Sequence, residues 1–356
     1  MVINKYSATN NEENECTAQL IITSQNRFYL TGFRSSLGYL FIVNGKKTLY
    51  IDGRYIEAAR SGVYSDVEVR QLYKLSSAVS EITEENGVEK LLCEVDITVR
   101  EKQRIEKLAK IPLKASLAMT DEILKERSIK TERELESIEK AQRIAEKAFL
   151  NVLDRLRAGV TEREAALWLD YEMRLGGAEG SSFETIAVSG KNSSKPHGVP
   201  TDKPLENGDF LTMDFGAIYG GYCSDMTRTV AIGFATEEME EVYSTVLNAQ
   251  LTGINKAKCG VKASDVDKAA RSVIENADYG EYFNHSTGHG VGIDIHELPF
   301  VAESNNEILQ TGNVITCEPG IYIPEKFGVR IEDMLFITEN GCKNLTNSEK
   351  KLIIIK

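Results

Sequence analysis

The chain has 356 residues, 42% hydrophobic and 27% charged, a balance that fits a folded globular protein and a length that points to two domains. Its formal charge of −12, from 54 acidic and 42 basic residues, disfavours duplex nucleic acid and anionic membranes as partners, because phosphate binding needs clustered Lys and Arg. No run approaches the ~20 consecutive apolar residues that cross a bilayer.

The stretch from Met1 to Cys16 is polar and acidic and lacks the basic-then-apolar layout of a secretory leader, so a cytoplasmic location is expected. Residues 1–125 read as an α/β unit. Phe28–Leu30, Tyr39–Val43, Thr48–Ile51 and Leu91–Val95 are strand candidates, with Asn44-Gly45 as a hairpin turn between the second and third. Ile56–Ser61, Leu75–Glu85 and Arg100–Ala109 have helical patterning. Six cysteines occur without a C-x-x-C pair, so reduced, packed thiols are expected rather than a thiolate metal site.

Residues 126–356 form a second expected domain. Thr131 and Glu134 make a capping box ahead of a long amphipathic helix, which Leu135, Ile138, Ala141, Ala145, Ala148, Val152 and Leu156 mark and Gly159 ends. Thr161 and Glu164 then cap a helix running to Met173. The layout returns about one hundred residues later, with a helix through Val242, Val246, Ala249, Ile254 and Ala257, then Gly260, Val261 and a cap at Ser264. "NGDFLTMDFG" and "TGNVITCEPG" also match, placing Asp214 on Glu318, and "SDMTRTVAIG" matches "IEDMLFITENG", placing Asp225 on Glu332. This is a duplicated helix-plus-hairpin unit. The Gly220-Gly221 turn brings Asp225 back beside the strand of Asp214.

Taken singly, each carboxylate fits a solvated strand end. As a set, in register across a repeat and on apolar strands, they repel unless protonated or bound to cations. Four carboxylates and an imidazole suit Mn²⁺, Co²⁺ or Zn²⁺. Of the four histidines, His197, His285, His289 and His296, three crowd into "NHSTGHGVGIDIHE". His289 and His296 are seven apart, so both can serve one site only if the chain bends between them.

"MDFGAIYGGYCSDMTRT", "STGHGVGIDIHE", "EPGIY" and "GVRIEDM" resemble the signature segments of the M24 metallopeptidases, and "FYLTGFRSSLGYLFIVNGKKTLYIDGRY" resembles the creatinase-type N-terminal domain of their proline-specific branch. The resemblance implies an α/β (α+β) protein, with a creatinase-like N-terminal domain before a duplicated "pita-bread" catalytic domain. It implies two divalent metal ions, manganese first, with Asp214 on one, His289 and Glu318 on the other, and Asp225 and Glu332 bridging. Glu318 would be the general base, His296 would polarise the scissile carbonyl, and His197, His285, Tyr322 and Arg330 would serve on the substrate side. The implied reaction is hydrolysis of the bond between an N-terminal residue and a following proline, on short peptides and by a homodimer. A creatine-hydrolysing relative or a non-catalytic binding module on the same fold are the alternatives, and both predict lost ligands, whereas all five are present. The Ile51–Tyr55 loop is a candidate contact to a partner's cleft.

Overall fold

A computed structural model describes residues 16–110 and 116–356. Most of the acidic N-terminal stretch read from the sequence lies outside them. The chain divides into two compact units between Glu126 and Arg127. No helix among the described residues is long and apolar enough to cross a membrane.

The first unit is a six-stranded mixed sheet with helices on both faces. Its strands are β1 (Thr17–Ile21), β2 (Gly38–Val43), β3 (Lys46–Ile51), β4 (Val67–Gln71), β5 (Lys90–Glu94) and β6 (Ser116–Thr120), in spatial order β4-β3-β2-β1-β5-β6. The helices are α1 (Ser24–Thr31), α2 (Ile56–Gly62), α3 (Leu75–Asn86), α4 (Val99–Lys110) and α5 (Glu122–Ser128). Alternation along β2 sends Tyr39, Phe41 and Val43 into one apolar cluster and Leu40 and Ile42 into the other. Asn44 and Gly45 both have positive φ, as a two-residue hairpin between β2 and β3 requires.

One expected strand is a helix. Phe28–Leu30 lies inside α1, because Thr23 caps it by accepting from the Asn26 N–H and Gly32, at φ 72°, ends it. A three-residue apolar run does not separate the two states by itself, and β1 takes the sheet position instead.

In the second unit the helices are α6 (Glu132–Leu153), α7 (Glu162–Leu175), α8 (Glu237–Lys256) and α9 (Ala263–Asn276). The strands are β7 (Gly180–Ser181), β8 (Ile186–Ser189), β9 (Phe210–Phe215), β10 (Ala217–Tyr219), β11 (Tyr222–Cys223), β12 (Met226–Ile232), β13 (Gly288–Gly290), β14 (Glu297–Val301), β15 (Val314–Cys317), β16 (Gly320–Ile323), β17 (Phe327–Arg330), β18 (Asp333–Ile337), β19 (Cys342–Asn344) and β20 (Ile354–Ile355). The first half packs α6 and α7 on the sheet β20-β12-β9-β8. In the second, α9 and the C-terminal end of α8 pack on β14-β13-β15-β18-β19, while the rest of α8 packs on the β16–β17 hairpin and on Phe210 and Ala231 of the first sheet.

The two halves match hydrogen bond by hydrogen bond. Gly159 N–H donates to Leu205 O and Leu205 N–H to Val160 O, while Gly260 donates to Leu309 and Leu309 to Val261. Glu206 N–H donates to the Asp209 carboxylate in one turn, and Gln310 N–H to the Asn313 side chain in the other. Both Thr131 and Thr161 form complete capping boxes. Two details differ from expectation. The long helix ends at Leu153, leaving Leu156 and Gly159 in the following loop, and Ser264 lies within the first turn of α9, whose N-cap is Lys262 without a side-chain cap bond.

Gly159 and Gly260 hold φ of 92° and 84°, and a Cβ on either would meet nothing within 4 Å. Only backbone strain therefore opposes a side chain at these two positions. Gly159→Ala and Gly260→Ala are each expected to cost about 1 kcal/mol, or about 2–4 °C in Tm for a unit of this size. Thermal denaturation of the two variants checks this, and unequal losses would contradict the equivalence of the two turns.

Candidate metal centre

The site grows from the two hairpins. In β9, alternation buries Met213 and Phe215 in the core, where Phe215 stacks on Phe149 at 6.1 Å, and turns Thr212 and Asp214 the other way. Asp214 pairs across the ladder with Thr227 of β12. Gly220 and Gly221, both at positive φ, close the β10–β11 turn, after which Asp225 arrives one residue before β12. In the second half, Glu318 follows β15 and Glu332 precedes β18, where Cys317 pairs with Asp333. The Glu332 N–H donates to Thr227 O at 3.2 Å, joining the two halves at the carboxylates.

Ligand atoms of Asp225, His289 and Glu332 lie within 4.8 Å of one another. His289 Nε2 is 3.3 Å from Glu318 Oε1 and 3.6 Å from Asp225 Oδ2. Its other nitrogen, Nδ1, lies 3.1 Å from Gly290 O. An Nδ1–H donated there leaves the Nε2 lone pair facing the carboxylates, the tautomer a metal ligand needs. Arg330 Nη2 donates to Asp214 Oδ2 at 2.6 Å, while Asp214 Oδ1 is buried with no hydrogen-bond partner among the described residues. Thr227 Oγ1 donates to Glu332 Oε2 at 2.7 Å and accepts from Arg330 Nε at 3.0 Å.

Electrostatics show what this group lacks. Burial, then the neighbouring carboxylates, pushes the Asp225 and Glu332 carboxyls well above their usual range. Burial also lifts Glu318 to about 8, with Arg330 opposing and Asp214 reinforcing the rise. Burial lowers His289 to about 4, keeping its imidazole neutral. Four carboxylates thus converge on one guanidinium, with an acceptor oxygen unpaired and a neutral imidazole between them. That donor set fits divalent cations, which would replace both the protons and the lost water.

The same residues line a cavity of about 530 Å³, together with His197, His285 and His296. The chain bends after β13 and returns as β14, which brings the His289 and His296 rings to 4.3 Å, edge to face. His285 Nε2 lies 3.0 Å from Tyr322 Oη, and Tyr322 accepts from Arg330 Nη1 at 2.8 Å. Tyr322 is not a cavity-lining residue. It stands behind His285, and its hydroxyl is pushed to about 12, chiefly by burial. Arg330 reaches the cavity, but its guanidinium is committed to Asp214, Thr227, Tyr322 and Pro196 O.

Several supporting residues escape sequence reasoning. Arg228, 1% exposed, donates to Glu332 O and pairs with Asp333 at 2.8 Å behind the cluster. Asp267 and Arg271, one turn apart on α9, hold the Phe283–Thr287 segment that carries His285. Glu162, fully buried, accepts from Ser189, Asn192 and Thr201 and so braces the loop carrying His197. A charged residue inside an apolar strand was the available signal for Arg228, and an i, i+4 acid–base pair for Asp267–Arg271.

A duplicated α/β unit whose two hairpins converge buried carboxylates and a neutral imidazole defines a metal-dependent hydrolase. Residues 136–339 match the model of metallopeptidase family M24, and residues 9–129 match the creatinase/prolidase N-terminal domain. The chain belongs to metallopeptidase family M24 and has its pita-bread fold. It is 40% identical to an Xaa-Pro dipeptidase of Pyrococcus horikoshii over 96% of both chains. It is 41% identical to a putative Xaa-Pro aminopeptidase of Mycoplasma genitalium over 94% of both. Among solved structures, it is similar to an Xaa-Pro dipeptidase from Bacillus anthracis (TM-score 0.90, 39% identity, 95% of both chains). It is likewise similar to an X-Pro aminopeptidase from Thermotoga maritima (TM-score 0.89, 36% identity, 96% of this chain and 98% of that one).

The raised carboxyls give the metal-free protein a distinctive pH response. Glu318 holds its proton to about 8 when folded, against an ordinary value of 4.5. The folded state therefore binds more protons across that window, and stability falls as pH rises through it. Cations compete with those protons, so their effect grows with pH. Metal-free protein is expected to lose Tm between pH 5 and about pH 8, and Mn²⁺ to raise Tm more at the upper end. Thermal melts across this range check both, and an Mn²⁺ effect larger at pH 5 would contradict the assignment.

Proposed function

We propose that this protein hydrolyses the bond between an N-terminal residue and a following proline in short peptides, using two divalent metal ions. The observation that carries the reading is the convergence of four carboxylates and four histidines on one cavity whose size suits a small peptide. The relatives named for Xaa-Pro peptides support the substrate class. In this reading residues 1–125 are the creatinase-like domain and 126–356 the catalytic domain.

Asp214 would hold one ion, His289 and Glu318 the other, and Asp225 and Glu332 would share both, with manganese favoured. The ions would supply Lewis acidity at the scissile carbonyl and at the attacking water. Glu318 would take the proton of that water and return it to the prolyl nitrogen as it leaves. His296 stands on the cavity wall beside His289 and donates to the oxyanion that develops on the carbonyl. His285, backed by Tyr322, and His197 meet the rest of the substrate. Arg330 acts through Asp214 and Tyr322, fixing one carboxylate oxygen and leaving the other for a cation.

Hydrolysis of an Xaa-Pro dipeptide beside an Xaa-Pro-Xaa tripeptide, by protein stripped of metal and reloaded with Mn²⁺, tests the function. Cleavage that requires the metal is expected, and the preferred length separates dipeptidase from aminopeptidase. No cleavage of either by the reloaded protein would overturn the reading. His296→Ala is expected to lower kcat by about 10²–10³-fold while Mn²⁺ affinity stays within about threefold. Steady-state kinetics and calorimetry check this, and loss of metal with retained turnover would contradict the role.

A further inference from the structure

His296 is more exposed than His289 and stands in the short arch between β13 and β14. Its usefulness depends on what holds that arch, and the flanking residues give the answer. Arg127 Nη2 donates to Asp294 Oδ2 and to Glu297 Oε2, each at 2.7 Å, so one guanidinium clamps the chain on both sides of His296. Lys130 Nζ donates to the other Glu297 oxygen at 2.5 Å. The side chains of Arg127, Lys130 and Glu297 are only 2%, 1% and 9% exposed.

The arch is built around this cluster. A Cβ on Gly292 would sit 2.1 Å from Glu297 Oε1, so glycine lets the carboxylate tuck beneath the loop. Glu297 also pairs across the ladder with Gly290, the residue after His289. The loop's other ties include Cys223 N–H donating to Gly292 O, Cys223 Sγ to Ile293 O at 3.6 Å, and Val291 N–H to Val314 O. Lys130 is itself fixed, its N–H donating to Gly312 O. Burying three charges is costly against an apolar alternative, and such clusters are best explained where they specify one geometry.

We infer that the Arg127–Glu297–Lys130 cluster is a positioning device that sets His296 against His289 over the cavity. The inference rests on the role assigned to His296 above. None of the three residues touches the cavity; they act through the arch.

The test uses the full-length protein with its histidines labelled at ¹³Cε1. The chain has four histidines, and single substitutions assign their signals. Glu297→Gln leaves Lys130 unpaired, and it is expected to lower both Tm and kcat. The double variant Glu297→Gln, Lys130→Met removes the stranded charge while Arg127 keeps Asp294, so Tm is expected to return towards wild type. If the cluster positions His296, kcat of the double variant stays about 10–100-fold low with KM little changed. The His296 signal, with or without Mn²⁺, is then displaced or broadened while those of His197 and His285 hold. Recovery of kcat together with Tm, or a His296 signal at its wild-type position in the double variant, would overturn the proposal. Because the signals are read in the metal-free protein too, they test positioning even if no Xaa-Pro peptide is cleaved, an outcome that would count against the functional reading alone.

Discussion

Four carboxylates cannot be buried against one another at neutral pH unless something positive replaces the water they give up. In this protein Asp214, Asp225, Glu318 and Glu332 meet at the junction of two hairpins, and Arg330 alone among the described cationic side chains reaches into the group. Protons can fill the deficit, as the raised carboxyls show, but protonated acids are poor bases and poor ligands. Divalent cations satisfy the same charges and make the cluster reactive. The rest of the second unit is a means of holding these groups in place against their repulsion.

Duplication is how the chain does so. Each half contributes a helix pair, a turn fixed by a glycine, and one hairpin delivering two carboxylates from opposite strand ends. Around that skeleton each half adds its own support for a histidine-bearing segment. Glu162 on α7 braces the loop of His197, and Asp267 on α9 braces the segment of His285. Arg330 and Thr227 then stitch the halves together through hydrogen bonds to Asp214 and Glu332. The acids and His289 are placed by strands or strand ends, and the other histidines by loops tied to buried charges.

What could be read from residues alone follows the range of the interactions involved. Period-two alternation separates Asp214 from Met213 and Phe215, and internal repetition pairs Asp214 with Glu318 and Asp225 with Glu332. Those local and periodic signals grouped the four carboxylates, whereas His289 was singled out among the crowded histidines only by the resemblance to the family's segments. The bend that joins His289 to His296 was only a requirement of seven-residue spacing, and the hairpin of β13 and β14 supplies it. Phe28–Leu30 misled because three apolar residues do not fix a period, whereas the caps at Thr23 and Gly32 do. The Arg127–Glu297 pair spans 170 positions and the Arg228–Asp333 pair 105. No local pattern announces such partners, and a lone charge in an apolar strand is the most that a reader could flag.

The number of cations the cluster holds distinguishes a metal centre from a set of protonated acids. Protein stripped with chelator, then dialysed against excess Mn²⁺ near neutral pH and washed free of loose ions, can be assayed for metal by mass spectrometry against protein concentration. Two ions per chain are predicted, since four carboxylates and one guanidinium carry a net charge of −3, which a single divalent ion leaves uncompensated. Metal-free protein at the end of that procedure, with the chain still folded, would mean that the carboxylates are held by protons and that the metal centre described here does not exist.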